Sequence, residues 1–228
     1  MSQKGTATEL GEQPIGKLLM QYAVPAIIAM TASSLYNMID SIFIGHGVGA
    51  MAISGLAITF PLMNLAAAFG SLVGVGASTL VSVKLGQKDY DTAQLILGNV
   101  MSLNVLIGIG FTILTLLFLD PILYFFGASE ATISYARDYM VVILLGNVVT
   151  HMYLGLNSVL RAAGYPQKAM FATIMTVGIN TILAPIFIFV FHWGIQGVAM
   201  ATVLAQIIAL TWQIKLFCRK NELLRLKK

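Results

Sequence analysis

Four long stretches of this sequence carry almost no charged side chains, and they constrain its fold more than any other feature. Between residues 18 and 83 the only Asp, Glu, Lys or Arg is Asp40. Residues 92–119, 139–160 and 169–214 contain none of these four types. Since a helix needs roughly 20 apolar residues to cross a bilayer, each stretch is long enough for at least one membrane span.

Turn signals divide two of these stretches. The glycine-rich segment 45–49 interrupts the first, and Trp193 with Gly194 interrupts the last, where an interfacial turn is expected. The pattern therefore predicts six spans, with approximate bounds 15–44, 51–84, 91–119, 130–162, 166–191 and 195–218. Residue types that favour helix starts stand near three of these bounds: Pro14, Asp89 or Asp91, and Ser129.

The composition agrees with a membrane protein and excludes several other classes. The chain is 58% apolar and 10% charged, which is too little charge to cover a water-soluble core of this size. One cysteine and three scattered histidines provide neither a disulfide framework nor a zinc site. Nor does any nucleophile with an adjacent base, carboxylate pair or phosphate-binding glycine loop accompany the spans. We therefore expect an all-α polytopic membrane protein that is not an enzyme and has no cofactor or metal centre.

Positive charge is distributed unequally between the two sides of the six-span arrangement. One side holds twelve basic residues, namely Lys4, Lys17, Lys84, Lys88, Arg161, Lys168, Lys215, Arg219, Lys220, Arg225, Lys227 and Lys228. The other side holds only Arg137. Because cytoplasmic flanks are rich in Lys and Arg, we expect both termini in the cytoplasm: residues 1–17 as an N-terminal segment, 18–218 as a six-helix lobe, and 219–228 as a basic tail. Basic residues at helix ends do not form a nucleic-acid surface.

Two predicted spans carry small residues at four-residue spacing, which lets helix backbones approach closely. The ladder in the second span is Ala66, Gly70, Gly74, Ser78 and Ser82, and that in the sixth is Gly197, Ala201, Ala205 and Ala209. These ladders predict a compact helix bundle.

Asp40 is the one carboxylate inside the four long, nearly uncharged stretches. Ser33, Tyr36 and Asn37 share its helical face at three- and four-residue spacing. Because an ionised Asp at the bilayer centre costs about 2.5–3.5 kcal/mol on insertion scales, such a residue is by default a functional candidate. A partly solvated interfacial Asp is the alternative. The neighbouring neutral oxygens favour a site that binds and releases a cation.

Other polar residues within the spans are weaker candidates. Asn157 and His151 are possible further cavity residues, although hydrogen bonding between helices would equally explain them. Pro25 and Pro185 interrupt the first and fifth spans, so each is either a hinge or a static kink.

Several strings resemble the multidrug and toxic compound extrusion (MATE) family of cation-coupled antiporters. They are Ala23-Val24-Pro25, the segment 35–45, the segment 74–78 running on to Gly86, the segment 157–164, and the segment from Asn180 to Ile188. The resemblance extends over nearly the whole chain and is closest to bacterial members.

The resemblance implies two six-helix lobes of the same orientation that face each other across a cavity, of which this chain looks like the first. It also implies export of cationic or amphipathic organic compounds in exchange for H+ or Na+, in a bacterial cytoplasmic membrane. Related members hold the cation with an Asp, a Tyr, an Asn, a second Asp and a Thr. Asp40, Tyr139, Asn180 and Thr202 match four of these positions, and Ala184 stands where the second Asp is expected.

The replacement at Ala184 leaves a single carboxylate for the coupling ion. Because hard cations require several oxygen ligands, Na+ at Asp40 would need neutral oxygens or water in addition. The sequence thus favours protons slightly over Na+.

Three alternatives remain open at the level of the sequence. A flippase for lipid-linked oligosaccharides, from a related superfamily, would require basic residues in its cavity, and the span interiors have none. A parallel homodimer would keep the charge bias and supply a second lobe. A truncated or partner-requiring lobe would have no transport of its own.

Overall fold

The computed structural model describes residues 14–218, and this part of the chain consists of helices joined by short connections, with no β-strand. Its elements are α1 (Ile15–Gly47), α2 (Ala50–Gly86), α3 (Tyr90–Leu117), α4 (Leu119–Phe125), α5 (Ile133–Leu145), α6 (Asn147–Ala162), α7 (Pro166–Pro185), a π-helical turn (Ile186–Val190) and α8 (Gly194–Phe217). The all-α prediction is confirmed. Most of the predicted N-terminal segment 1–17 and all of the tail 219–228 lie outside the described residues.

Six candidate spans occur between residues 14 and 218. Helices α1, α2, α3 and α8, together with α7 and its π-helical turn, are each long and apolar enough to cross a membrane. The sixth candidate is α5 and α6 taken together as one broken span, which is bent by 59° between the two helices. The predicted single helix over 130–162 is therefore wrong. A Cβ atom at Gly146, between the two halves, would lie 2.5 Å from Val203 Cγ2, so this glycine allows the bend to pack directly against α8.

Two of the three predicted helix-start signals stand at helix starts in the structure. Pro14 immediately precedes α1, and Asp89 Oδ1 accepts a hydrogen bond from the Thr92 N–H of α3 (3.2 Å). Hydrogen bonding to the Thr92 side chain and to this Thr92 N–H, with help from Lys84, lowers the pKa of the Asp89 carboxyl. Ser129 does not cap the fourth span, because its own N–H donates to Thr132 Oγ1 (3.0 Å) and α5 starts only after Thr132.

The two prolines predicted to interrupt spans have different effects. Pro25 is buried inside α1, which continues through it as a single 33-residue helix. Pro185 ends α7, and the chain then continues as a π-helical turn. Widened turns of this kind accommodate a helix whose regular hydrogen bonding has been interrupted.

The ladder on α2 brings this helix into backbone contact with α6. A Cβ at Gly74 would lie 2.6 Å from Gly155 Cα, and one at Gly70 would lie 2.8 Å from His151 Cδ2. Near the end of α2, Ser82 Oγ donates to the Ala162 carbonyl (3.2 Å). The ladder therefore marks a helix crossing, as predicted.

The bundle has two chemically different ends. At the basic end, α2, α6 and α8 finish and α3 and α7 begin. Five basic side chains lie at or beside these helix ends and therefore at the same end of the bundle: Lys84, Lys88, Arg161, Lys168 and Lys215. At the opposite end Arg137 forms an ion pair with Asp120 of α4. Helix α1 packs mainly along α7, and its other side exposes apolar residues such as Leu19, Met30 and Met38.

Candidate functional site

Five polar side chains from four helices meet inside the bundle, and we call them the Asp40 cluster. Its members are Asp40 and Tyr36 of α1, Tyr139 of α5, Asn180 of α7 and Thr202 of α8. Asp40 is only 5% exposed and Asn180 only 1%. Tyr139 and Thr202 are also buried, and Tyr36 is half-buried. The structure thus brings together all four predicted cation-binding residues.

Asn180 is the centre of the hydrogen bonding in this cluster. Its amide is satisfied when Nδ2 donates to Asp40 Oδ1 (3.2 Å), an orientation assigned from the surrounding donors and acceptors. The amide oxygen then accepts from Thr202 Oγ1 (2.8 Å), from the Thr202 N–H (3.1 Å) and from the Tyr36 hydroxyl (3.3 Å). Asn180 therefore links the carboxylate on α1 to α8.

The two hydroxyl groups connect the same helices a second time. Tyr36 OH lies 2.9 Å from Thr202 Oγ1, and it also interacts with Asp40. Thr202 Oγ1 is within 3.1 Å of the Val198 carbonyl. A threonine hydroxyl has a single proton, so Thr202 donates to only one of the Val198 carbonyl, the Asn180 amide oxygen and the Tyr36 hydroxyl at a time. The hydrogen bonding of α8 is therefore coupled to that of α1 and α7.

Asp40 has no ion-pair partner among residues 14–218. Its described neighbours are a neutral amide and neutral hydroxyls, and Tyr139 is close enough to interact with it electrostatically. An isolated carboxylate in an apolar bundle is costly unless a cation neutralises it. The geometry is therefore suited to binding a proton or a small metal cation.

Ala184 lies one turn after Asn180 on α7 and is fully buried. Residues 14–218 contain no group of three or more His, Cys, Asp or Glu able to hold a metal ion. A sodium ion bound here would consequently be held by the oxygens of one carboxylate, that of Asp40, and by neutral oxygens from Tyr36, Asn180 and Thr202.

The additional cavity residues predicted from the sequence do not all reach this cluster. Tyr36 does, whereas Ser33 is half-buried farther along α1 and Asn37 is exposed. His151 and Asn157 are buried on α6, where His151 packs near Gly70 and Phe111 and Asn157 donates to the Ala169 carbonyl (3.2 Å).

Two polar residues close to the cluster, Gln206 and Thr150, are not predicted from the sequence. Gln206 lies one turn from Thr202 on α8, and its Oε1 accepts a hydrogen bond from Thr150 Oγ1 of α6 (2.5 Å). The four-residue spacing between Thr202 and Gln206 was the available signal.

Six candidate spans around a buried acid define a multi-pass helical membrane protein. Comparison with known proteins identifies the class further. The MatE family model matches residues 25–186, and the chain belongs to this family, in agreement with the resemblance seen in the sequence. The match also confirms that the chain comes from a class of transporters rather than enzymes.

Curated relatives and solved structures agree with this assignment. The multidrug export protein MepA of Staphylococcus haemolyticus is 33% identical over 213 residues, which is 93% of this chain and 47% of that protein. MepA of Staphylococcus aureus is 29% identical over 211 residues, again 47% of its length. A MATE structure described as the bent conformation superimposes with a TM-score of 0.90 at 25% identity, covering 100% of this chain and 50% of the other.

A second solved structure, the outward-facing conformation of a multidrug resistance MATE family transporter, gives the same TM-score of 0.90 at 26% identity. It likewise covers 100% of this chain and 50% of the other. The chain thus spans about half the length of the relatives that it matches.

Proposed function

We propose that this chain is one lobe of a secondary active transporter that exports cationic or amphipathic organic compounds in exchange for H+ or Na+. The observation that carries the proposal is the Asp40 cluster, which holds a buried carboxylate without an ion-pair partner and connects it to α7 and α8. Cation binding there would favour one conformation of the lobe, and cation release would favour another. Exchange requires such differential affinity between two conformations.

Protons are the coupling ion that the cluster favours. Asp40 supplies one carboxylate, and the fully buried Ala184 adds no ligand where a second Asp is expected in related members. A single carboxyl suffices to bind a proton, whereas Na+ requires several oxygen ligands. A membrane potential would add about 2.3 kcal/mol per charge for each 100 mV to the driving force.

The charge of the spans supports cationic or amphipathic substrates. Within residues 14–218, Lys and Arg occur near helix ends rather than midway along the spans. An anionic lipid pyrophosphate would lack a counter-charge in such a cavity, which disfavours the flippase alternative. The relatives named multidrug export proteins are consistent with this substrate class.

We further propose that a second six-helix lobe, or a second copy in parallel orientation, completes the cavity in a bacterial cytoplasmic membrane. The chain covers 47% of its curated relatives, and α1 leaves an apolar side exposed. Both termini are then cytoplasmic, in accordance with the excess of basic residues at one end of the bundle.

The test is efflux of a fluorescent cationic dye from vesicles that contain this chain alone, driven by a pH or Na+ gradient. We expect Asp40→Asn to abolish the part of the dye efflux that depends on the gradient. Asp138→Asn, which makes the same chemical change at an exposed position, should leave it intact. If the inserted, folded wild-type chain gives no efflux, the lobe requires its partner. If gradient-driven efflux persists unchanged in Asp40→Asn, the proposed role of Asp40 is wrong.

A further inference from the structure

Polar side chains continue from the Asp40 cluster toward the basic end of the bundle, along the faces where α6, α7 and α8 meet. We call the following seven residues the polar column: Thr150, Tyr153 and Asn157 of α6, Thr173 and Thr176 of α7, and Gln206 and Gln213 of α8. Each helix contributes residues at spacings of three, four or seven, which keeps them on one face. All three rows run from the level of the cluster toward the same end.

Hydrogen bonds join neighbouring helices at successive levels of the column. One turn from Thr202, Gln206 accepts from Thr150 (2.5 Å). Farther along, Tyr153 OH donates to Thr173 Oγ1 (3.4 Å). Both Thr173 Oγ1 and Asn157 Nδ2 then donate to the Ala169 carbonyl at 3.2 Å. The column is therefore a sequence of contacts across helices and not only a pattern along each helix.

The end of the column contains buried polar atoms that lack partners. Asn157 Oδ1 and both side-chain atoms of Gln213 make no hydrogen bond, although Asn157 is only 4% exposed and Gln213 is fully buried. Unsatisfied amide atoms inside an apolar bundle are expensive. Bound water with two to four polar partners is the usual means of satisfying such groups, so these atoms point to water in this part of the column.

In the opposite direction the bundle is closed by apolar side chains. Ile44, one turn beyond Asp40 on α1, is completely buried in an apolar cluster with Ile188, Ile143 and Leu62. A proton could not cross this cluster without leaving its hydration. In this conformation, the polar groups therefore connect Asp40 with the basic end and not with the opposite end.

We propose that the polar column, together with bound water, carries protons between the Asp40 carboxyl and the aqueous side at the basic end. This inference rests on the proposed function, since it requires that Asp40 exchange a proton. Hydroxyl groups and water relay the proton, each breaking one O–H bond as it forms the next, while the Asn157 and Gln213 amides hold the water in place. The net step moves one proton from bulk water to an Asp40 oxygen.

Among the described residues, charged groups occur only near the part of this route that lies at the basic end of the bundle. Arg161 ends α6, Lys168 begins α7 and Lys215 ends α8. His151 shares α6 but packs toward α2 and α3, against Gly70 and Phe111. The rate of proton arrival at Asp40 therefore depends on the neutral groups of the column.

The test measures how fast Asp40 becomes protonated after a rapid fall in pH. The chain is placed in lipid nanodiscs, and the carboxylic acid C=O stretch of Asp40, identified by its loss in Asp40→Asn, is followed by infrared spectroscopy. Gln213→Leu removes the amide while nearly conserving its volume. Gln196→Leu makes the same change at an exposed position near the start of α8 and is the control.

We expect Gln213→Leu to slow protonation about fivefold or more, as loss of a hydrogen-bonding group on the path implies, and to leave the final extent of protonation unchanged. Asn157→Leu should act in the same way and serves if Gln213→Leu does not fold. Equal rates of Asp40 protonation in wild type, both column variants and Gln196→Leu would overturn the proposal that the polar column carries protons. A wild-type chain whose Asp40 band never changes with pH would instead overturn proton binding at Asp40, which belongs to the proposed function.

Discussion

At the level of single residues, the character of the site depends on how little charge surrounds Asp40. Its described hydrogen-bonding partners are neutral, and Asn180 can both donate to the carboxylate and accept from α8. Ala184, one turn away, contributes only a methyl group. The number of carboxylates at this point of α7 should therefore decide which cation the lobe prefers.

Replacing Ala184 by Asp should convert the cluster into a better sodium site. In the absence of Na+, a second buried carboxylate should lower the free energy of unfolding by up to about 3 kcal/mol, the cost of Asp in the interior of a membrane helix. Sodium should restore most of this loss, because two carboxylates supply more of the oxygen ligands that it requires. Thermal unfolding in NaCl and in choline chloride measures the difference.

The control for this experiment is the double variant Asp40→Asn with Ala184→Asp, which again has one carboxylate. Its sodium response should return to that of the wild type. An equal response to sodium in wild type and Ala184→Asp would show that the Ala184 position does not contribute to cation preference.

Asp120 and Arg137 form an ion pair at the end opposite the basic end. This pair should make a small, pH-dependent contribution to the free energy of unfolding. Arg137 Nε donates to Asp120 Oδ1 (2.8 Å), and a second bond joins the same two groups. The hydrogen bonds from Arg137 lower the pKa of the Asp120 carboxyl. The resulting stabilisation should be complete above the unfolded-state pKa of about 3.9, and should disappear as the pH falls through the lower folded-state value.

The measurement is the difference in melting temperature between wild type and Asp120→Asn from pH 7 to pH 3. The difference should be constant and small near neutrality, because the pair is exposed. It should narrow in 1 M NaCl, where screening is strong. A difference that grows as the pH falls would contradict this account.

At the level of helices, the close crossing of α2 and α6 should tolerate no added atom. Gly74→Ala would place a methyl group 2.6 Å from Gly155 Cα, which is backbone and cannot move aside. We expect a loss of about 2 kcal/mol in unfolding free energy, within the range for overpacked cores. Gly76→Ala, where nothing lies within 4 Å, should be neutral or slightly stabilising. Thermal unfolding in one detergent compares the two, and equal stabilities would contradict the proposed crossing.

The sequence predicts those features of the helices that nearby residues determine, and it misses those that depend on contacts with other parts of the fold. Apolar length and turn residues are sufficient for the bounds of most spans, and Asp89 is one of the two residues predicted to cap α3. The bend at Gly146 is not predicted because the residues on both sides form a continuous apolar run, and the close approach of Gly146 to Val203 involves a distant helix that no local pattern contains. Similarly, Ser129 had a suitable side chain, but the contacts with Thr132 delayed the helix start.

The same distinction applies to the site. Asp40 was found from its isolation in an apolar stretch, and the resemblance supplied Tyr139, Asn180 and Thr202. Spacing on α1 placed Tyr36 and Asn37 together, yet Tyr36 reaches the cluster and Asn37 is exposed. The position of α7 and α8 against α1 determines which of the two side chains reaches the cluster. A helical pattern within one segment contains no information about that position.

At the level of the whole molecule, orientation determines which side of the membrane the polar column meets. The positive-inside rule predicts that the basic end, including the end of α8, is cytoplasmic. Cys218, the single cysteine of the chain, is exposed just after α8. Ser129 is exposed between α4 and α5 at the opposite end. These two positions therefore report on opposite membrane surfaces.

A membrane-impermeant maleimide should label Cys218 in inverted bacterial membrane vesicles and not in intact cells. The variant Ser129→Cys with Cys218→Ser should give the reverse result, and Cys218→Ser alone should remain unlabelled in both preparations. Labelling of Cys218 from outside the cell would reverse the proposed topology, and the polar column would then connect Asp40 to the external side. Because that reversal would leave the Asp40 cluster itself intact, the labelling pattern tests the direction of proton movement separately from the existence of the site.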